Sequence, residues 1–375
     1  MLGRIQLSLM IGPAVPVPVP QSVLDSLTSV RVTTTAGTTA SVFELQFKLS
    51  KDSPLQTLFM LAGGASLPLV RVILVATVNG TPDVLMDGVM TNHQLTPGAN
   101  GTATMTVHGE DLSAVMNYID FSGIPYPAMP VEARVLLILA KYALFGVIPL
   151  VIPSPFVDVP IPIEEIPRQQ GKDLAYIRQL AEQVGYVFYV SAGPAPGVSV
   201  AYFGPEIKVG VPQPALNVNM DSHTNVESIN FSFNNDGATL PVMFIHNTLT
   251  KLPIPIPVPN ISLINPPLGL IPPIPKNIEM IEGTAKHSPI RALLYGLSSA
   301  SRSNDVVTAN GSLDVLRYGR VLKARQLVGV RGVGSAFDGL YYVKSVTHTI
   351  KRGEYKQSFQ LVRNGLFSTV PVVPS

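Results

Sequence analysis

The chain has 375 residues, enough for two or three domains with a sizeable core, yet only 13% of them are charged and 46% are apolar. Soluble domains carry about 25% charged residues, so a surface this sparsely charged, with positive mean hydropathy, should be covered by an assembly or a membrane. The net charge is +2 with no run of like charges, which excludes a nucleic-acid footprint, and the lack of cysteine excludes disulfides and thiolate metal sites and suits cytosolic assembly.

The first 20 residues read as an apolar arm ending in PAVPVPVP. Proline at every second position cannot form the apolar helix of a signal peptide, so no targeting segment is expected. Residues 28–34 (TSVRVTT), a turn at Gly37 and residues 41–49 (SVFELQFKL) alternate at period two and predict a hairpin. Residues 51–60 fit a short helix. Residues 70–78 (VRVILVATV), the turn pair Asn79-Gly80, then 84–95 and 102–108 predict a three-stranded meander.

Gly109-Glu110-Asp111-Leu112 breaks the β pattern, and Asp111 is placed to cap a short helix over 112–119. Residues 131–144 (VEARVLLILAKYAL) predict a buried helix ended by Gly146, with Pro149 beyond it. The overlapping stretch 135–152 is the best membrane-span candidate, but Lys141, Gly146 and Pro149 argue against it. Residues 145–167 are proline-rich and read as extended. Residues 172–184 (KDLAYIRQLAEQV) put positions 174, 177, 180, 181 and 184 on one apolar helical face; Gly185 stops the helix and 186–190 (YVFYV) follow as a strand.

Residues 226–233 (VESINFSF) read as a strand with 242–249 (VMFIHNTL) as its partner. In 252–275 alternate prolines remove every second donor, which allows a polyproline-like arm or a lone edge strand but not a central one. Residues 291–301 fit a helix. A second meander closes the chain over 321–330, 340–350 and 355–363. Strict alternation in its middle strand puts Tyr342, Lys344, Val346, His348 and Ile350 on one face, and Tyr341, Val343, Ser345, Thr347 and Thr349 on the other. The tail, 367–375, is again rich in Val and Pro.

The two meanders predict an internal duplication. Each has Asp-Gly before its middle strand (Asp87-Gly88 and Asp338-Gly339), a histidine near that strand's end (His93 and His348), and a last strand running into Gly and then Leu (Gly109 and Leu112; Gly365 and Leu366). Two copies of one barrel-like module suit a building block better than an enzyme.

Searches for chemistry return structural readings. The six histidines (93, 108, 223, 246, 287 and 348) make no metal-ligand spacing. Glu164-Glu165 and Glu110-Asp111 are adjacent in sequence, which does not make a carboxylate pair across a cleft, and they read as solvated loop or cap residues. Ser298-Ser299 has no nucleophile-elbow context. Gly329, Gly332, Gly334 and Gly339 lack the spacing of a phosphate cradle and read as turn or bulge glycines. The Asn-Gly pairs at 79, 100 and 310 also match the glycosylation sequon but read as hairpin turns. No catalytic, cofactor-binding or metal residue is assigned, and no cofactor is expected. The proline-apolar arms read either as connections packed on their own domain or as rigid arms lying on neighbouring subunits, and the low charge favours the second.

Several stretches resemble the late control protein D family, the central baseplate hub of contractile phage tails, which is related to the N-terminal part of VgrG-type spike proteins. DGLYYVKSVTHTIKRGEYKQSFQLVRNG (338–365) is similar to the family's closing pattern, and LRYGRVLKARQLVGVRGVG (316–334) to its lead-in. KDLAYIRQLAEQVGYVFYV (172–190), TVHGEDLSAVM (106–116) and NVESINFSF (225–233) resemble family segments in the same order.

The resemblance implies a mainly β fold with some α: two duplicated tube-like antiparallel β-barrel domains and an intervening α+β domain. The expected division is barrel one at 1–109, the intervening domain at 110–215 and 250–313, and barrel two at 216–249 and 314–375. The proline insertions at 145–167 and 252–275 depart from the family pattern. The implied function is a non-enzymatic hub, a homotrimer whose six barrels match a six-fold tube on one side and a three-fold spike on the other. Its implied partners are itself, a trimeric spike protein, a tail tube or tube-initiator protein and other baseplate proteins, in a virion or phage-tail-like particle assembled in the bacterial cytoplasm. The alternatives are a tail-associated cell-wall hydrolase, a tube or tube-initiator protein, and a membrane-bound assembly protein using 135–152.

Overall fold

The structure is a computed structural model that describes the chain apart from residues 1–4, 14, 50–68, 99–101, 155–158, 161, 164–165, 235–238, 247–252, 258–264, 282–304 and 371–375. The helices expected over 51–60 and 291–301 lie outside the described residues.

The first module contains β1 (Ile5–Gly12), β2 (Val17–Pro18), the short helix α1 (Gln21–Ser26), β3 (Leu27–Thr35), β4 (Val42–Leu49), β5 (Arg71–Val78), β6 (Thr81–Pro97) and β7 (Ala103–Asp111). Asn79 and Gly80 both have positive φ, 51° and 85°, the geometry that lets an Asn-Gly pair follow the strands' own twist between β5 and β6. The expected hairpin and meander are both present. The proline arm does not project: Val17 and Pro18 pair back onto Ile11 and Met10.

Next come α2 (Val131–Ala140), β8 (Val147–Val151), α3 (Asp173–Gln183), β9 (Val187–Ala192) and β10 (Ser199–Gly204). The helix expected over 112–119 is a 3-10 turn, Leu112–Asn117. The helix α2 ends sooner than expected, at Ala140, and Gly146 closes the short 3-10 turn that follows it in left-handed geometry. Part of the extended proline segment is a true strand: β8 runs parallel to β10, with Pro149 opposite Ala201, at the edge of the sheet β8-β10-β9 where a missing donor is tolerated. The helices and this sheet share a separate apolar core that includes Val135, Ile138, Leu139, Ile177, Phe188 and Phe203. No described helix is long and apolar enough to cross a membrane.

The rest of the chain supplies β11 (Gln213–Asn217), β12 (Ser228–Phe233), β13 (Thr239–His246), β14 (Pro253–Pro257), β15 (Gly269–Ile271), β16 (Asn277–Ile281), β17 (Val307–Asp314), α4 (Val315–Tyr318), β18 (Leu327–Arg331), β19 (Gly339–Lys351), β20 (Glu354–Arg363) and β21 (Leu366–Ser368). The expected pairing of β12 with β13 is wrong. β12 pairs with β17, more than 70 residues further on, while β13 builds a separate sheet with β14 and β16. Local proximity lost to a long-range ladder. The proline strand β14 is an edge, as its missing donors require.

Two repeated modules emerge from the strand order. The first runs β3-β4-β7-β6-β5-β1, the second β12-β17-β20-β19-β18-β11, and the strands appear in the same chain order in both. Only the last strand differs in sense: β1 is antiparallel to β5, whereas β11 is parallel to β18. The α+β insertion falls between the modules, and the β13–β16 insertion falls between β12 and β17 of the second. The modules share one 13-stranded sheet and one apolar core reaching from Leu9 and Val32 to Val346 and Leu361.

Bulges align the copies. Lys344 is the extra residue of β19 against β20, between the pairs Val343↔Leu361 and Ser345↔Gln360. Thr91 is the extra residue of β6 against β7, between Met90↔Gly109 and Asn92↔His108. Superposing the bulges makes Tyr341, not Gly339, the counterpart of Gly88, and makes Leu95, not His93, the counterpart of His348. The duplication is real in topology, but the Asp-Gly and histidine signals suggested for it are not equivalent residues. The bulge also overturns the expected faces of β19: Tyr341 and Val343 are buried together with Val346, His348 and Ile350, because one extra residue at Lys344 reverses the phase of everything after it.

Candidate assembly site: a seam and two open edges

The bulge at Lys344 decides what β19 can reach. Before it, Gly339 to Tyr342 pair with β18. After it, Ser345 to Lys351 leave β18 and pair antiparallel with Thr35 to Ser29 of β3, joining the two modules. The seam is tightly specified. The Thr33 and Thr347 hydroxyls are 3.0 Å apart, and Ala36 N–H donates to the Lys344 carbonyl at 2.7 Å. At one end Arg325 donates to the Thr35 carbonyl, and at the other Arg352 donates to the Asp25 carbonyl, both at 2.7 Å. Val32 and His348 face each other across the seam, both buried.

The equivalent part of β6 has no such neighbour. Past Thr91, residues Asn92 to Pro97 pair with β7 on one side, and among the described residues no strand lies on the other. At the far edge of the sheet, β12 pairs with β17 and, among the described residues, with no other strand. Leu95 and Phe233, on these two edges, are each 40% exposed.

Between the modules and the α+β insertion lies a cavity of about 430 Å³ lined by Asp83, Asp111, Tyr189, Lys323, Arg325 and His348 among others. Each charged group there already serves the fold. Asp111 is the cap that the sequence predicts, though buried: it accepts from Ser113 N–H, capping the 3-10 turn, and from Ser41 N–H, and burial raises its pKa. Arg325, with φ of 64°, stacks its guanidinium 3.9 Å over the Tyr189 ring, while burial lowers its pKa. His348 Nδ1 lies 2.8 Å from the Tyr355 hydroxyl and 3.3 Å from Gln357 Nε2, and burial pushes its pKa down to about 4.

The other residues weighed for chemistry are scattered. His93 and His108 sit on β6 and β7, His223 in a 3-10 turn and His246 on β13; His287 lies outside the described residues. Among the described residues no cluster of metal-ligating side chains occurs. Glu164-Glu165, Ser298-Ser299 and Asn100 fall outside the described residues. Gly332 and Gly334 have positive φ in the loop before β19, as turn glycines do, Gly339 has positive φ as the first residue of β19, and Gly329 lies inside β18. Asn310-Gly311 is not a turn: it lies inside β17, where Gly311 leaves room for the Phe359 ring directly opposite. Residues 268–271 of the proline stretch dock on their own chain, with Leu268 and Gly269 N–H donating to Asn364 Oδ1 and β15 pairing with β21.

The residues that define the edges carried no chemical motif. Their only signal was Leu95 in an otherwise polar strand end and Phe233 at the end of the apolar face it shares with Ile229 and Phe231, and that signal gains meaning once the repeat is seen.

A mainly β chain of two repeated antiparallel modules with an α+β insertion is a fold found in bacteriophage tail proteins. The structure matches the tail protein of Neisseria meningitidis MC58 with a TM-score of 0.63 and 13% identity, over 97% of this chain and 98% of that one. It matches the 43 kDa tail protein of prophage MuSo2 from Shewanella oneidensis with a TM-score of 0.61 and 14% identity, over 96% and 99%. The E. coli c3393 protein, a type VI secretion system component described as structurally similar to T4 tail proteins gp27 and gp5, matches with a TM-score of 0.53 and 12% identity, over 93% and 77%. The resemblance read from the sequence and the fold therefore agree. No family model and no curated protein matches the sequence.

Proposed function

We propose that this chain is the structural baseplate hub of a contractile phage tail or phage-tail-like injection particle. It acts as a homotrimer, joining a six-fold tail tube to a three-fold spike. The observation that carries this reading is the strand-for-strand repeat of the two modules within a fold shared, end to end, with phage tail proteins. Three copies of a two-module chain present six similar units on one face while the insertions keep a three-fold repeat, which is what a symmetry adaptor needs. On this reading the first module forms one tube-like barrel, β11, β12, β17, β18, β19 and β20 form the other, and the α+β and β13–β16 insertions form the intervening domain.

The work is mechanical. The trimer closes the end of the tube and travels with tube and spike on contraction, and no side chain performs a reaction. The sparse charge of the chain fits surfaces covered by tube, spike and other baseplate proteins. Its place is the baseplate of the particle, after assembly in the bacterial cytoplasm.

Light scattering of the purified chain, followed by co-purification with spike and tube proteins of the same particle, tests the proposal. A mass of three chains and retention of both partners are expected. A stable monomer that retains neither overturns it.

A further inference from the structure

We infer that the open edge of β6 in one copy pairs with the open edge of β12 in the next, reproducing between chains the β19–β3 seam that already exists within each chain. The inference follows from the repeat. β19 corresponds to β6 and β3 to β12, so the internal seam is a template for a contact whose two halves, the end of β6 and the edge of β12, have no strand partner among the described residues. Such a contact is head-to-tail, and it closes into a ring or runs on as a filament according to the rotation between copies.

The template fixes the register. Within the chain Thr347 faces Thr33, His348 faces Val32, and Thr349 faces Arg31. The bulges at Lys344 and Thr91 relate β19 to β6, and the ladders β3–β4 and β12–β17 relate β3 to β12. Carried across, Gln94 faces Ser232, Leu95 faces Phe231, Thr96 faces Asn230 and His93 faces Phe233. Burial fits this assignment. Leu95 is 40% exposed at the open edge, whereas His348, its counterpart in the closed seam, is 5% exposed. Pairing covers Leu95 and Phe233 together and fills the row of unpaired backbone groups that an open edge presents. The number of three copies per ring rests on the hub reading; the pairing itself does not.

The chain has no cysteine, so disulfide trapping reads the register directly. In the closed seam Thr33 and Thr347 hold their hydroxyls 3.0 Å apart, a separation that suits two sulfurs after modest adjustment. Thr33→Cys with Thr347→Cys should therefore oxidise without changing the mass of the denatured chain. Gln94→Cys with Ser232→Cys, both at exposed positions, should give covalent multimers ending at three chains on a non-reducing gel. Thr96→Cys with Asn230→Cys provides a second in-register pair, and Gln94→Cys with Asn230→Cys, two residues out of register, should link poorly.

A protein that is trimeric by light scattering and closes the internal control, yet links neither in-register pair, overturns the inference and leaves the hub reading standing. Out-of-register linking as efficient as in-register linking also overturns it. Closed covalent rings of a number other than three support the pairing and overturn the three-fold hub.

Discussion

Arg71 and Asp87 form a fully buried two-pronged ion pair, Nε to Oδ1 and Nη2 to Oδ2, both at 2.7 Å, across the β5–β6 ladder. The same guanidinium donates to the Gly197 carbonyl at 3.1 Å, and Ser199 Oγ reaches Asp87 at 3.3 Å. The pair thus bolts the first module to the α+β insertion. Asp87→Ala leaves a guanidinium buried without its carboxylate, at a cost of about 3–5 kcal/mol. Replacing both by apolar residues of similar volume, Arg71→Met with Asp87→Leu, removes that penalty and should be much less damaging. Urea unfolding midpoints of the single and double variants check the difference; a double variant as unstable as the single would show that the Gly197 and Ser199 links matter more than the charges.

The buried imidazole of His348 sets an acid limit on stability. Its pKa is about 4 in the folded chain because burial disfavours the charged ring, against about 6.5 when unfolded. The unfolded chain therefore binds the proton more tightly. Stability is fully present above pH 6.5 and falls as the pH drops from 6.5 towards 4, by up to about 3 kcal/mol from this one residue. Thermal unfolding followed between pH 7 and 4 should show the loss, and His348→Gln should flatten that part of the curve. An unchanged slope in the variant would assign the acid sensitivity to other groups.

Much of the fold was legible because period-two patterning and turn chemistry act locally. Asn79-Gly80 specified its hairpin, the helix ending at Gly185 was bounded by its apolar face, and the duplicated meanders pointed to a repeat. Four things were hidden for physical reasons. Lys344 and Thr91 are ordinary residues at bulges, and a bulge is a property of two strands together, so the phase reversal in β19 could not be read from one. The partner of β12 lies beyond an insertion of its own, and sequence proximity favoured β13. Asn310-Gly311 carried the strongest hairpin signal available, yet the Phe359 ring opposite explains that glycine better than a turn does. The open edges were invisible until the repeat gave them a closed counterpart.

Gly311 and Gly109 are cross-strand neighbours of Phe359 and Phe43, so both modules pack an aromatic ring against a glycine, although on exchanged strands. A side chain at 311 would meet both the ring, 2.7 Å away, and the Ser228 carbonyl, which belongs to the β12–β17 ladder. Overpacking of this kind costs about 1–3 kcal/mol. Gly311→Val should lower the unfolding midpoint accordingly, and Gly311→Val with Phe359→Ala should not recover it, because the carbonyl clash persists. Full recovery in the double variant would locate the strain in the ring alone.

Lys344 offers the sharpest separation between a side chain and a position. Its side chain is exposed, so Lys344→Ala should change stability by no more than about 0.5 kcal/mol. Deleting the residue is a different act. Without the extra residue, the strand after Val343 slips by one against β20, and the side chains of Val346, His348 and Ile350 turn from the core towards solvent while Ser345, Thr347 and Thr349 turn inwards. The same slip destroys the register with β3, including the contact between Thr33 and Thr347. The deletion should therefore abolish cooperative unfolding or soluble yield, whereas the alanine variant behaves as the parent does in both measurements. A deletion variant that unfolds cooperatively near the parental midpoint would mean that β19 can reach β3 without the bulge, and the correspondence drawn between Lys344 and Thr91 would lose its physical basis.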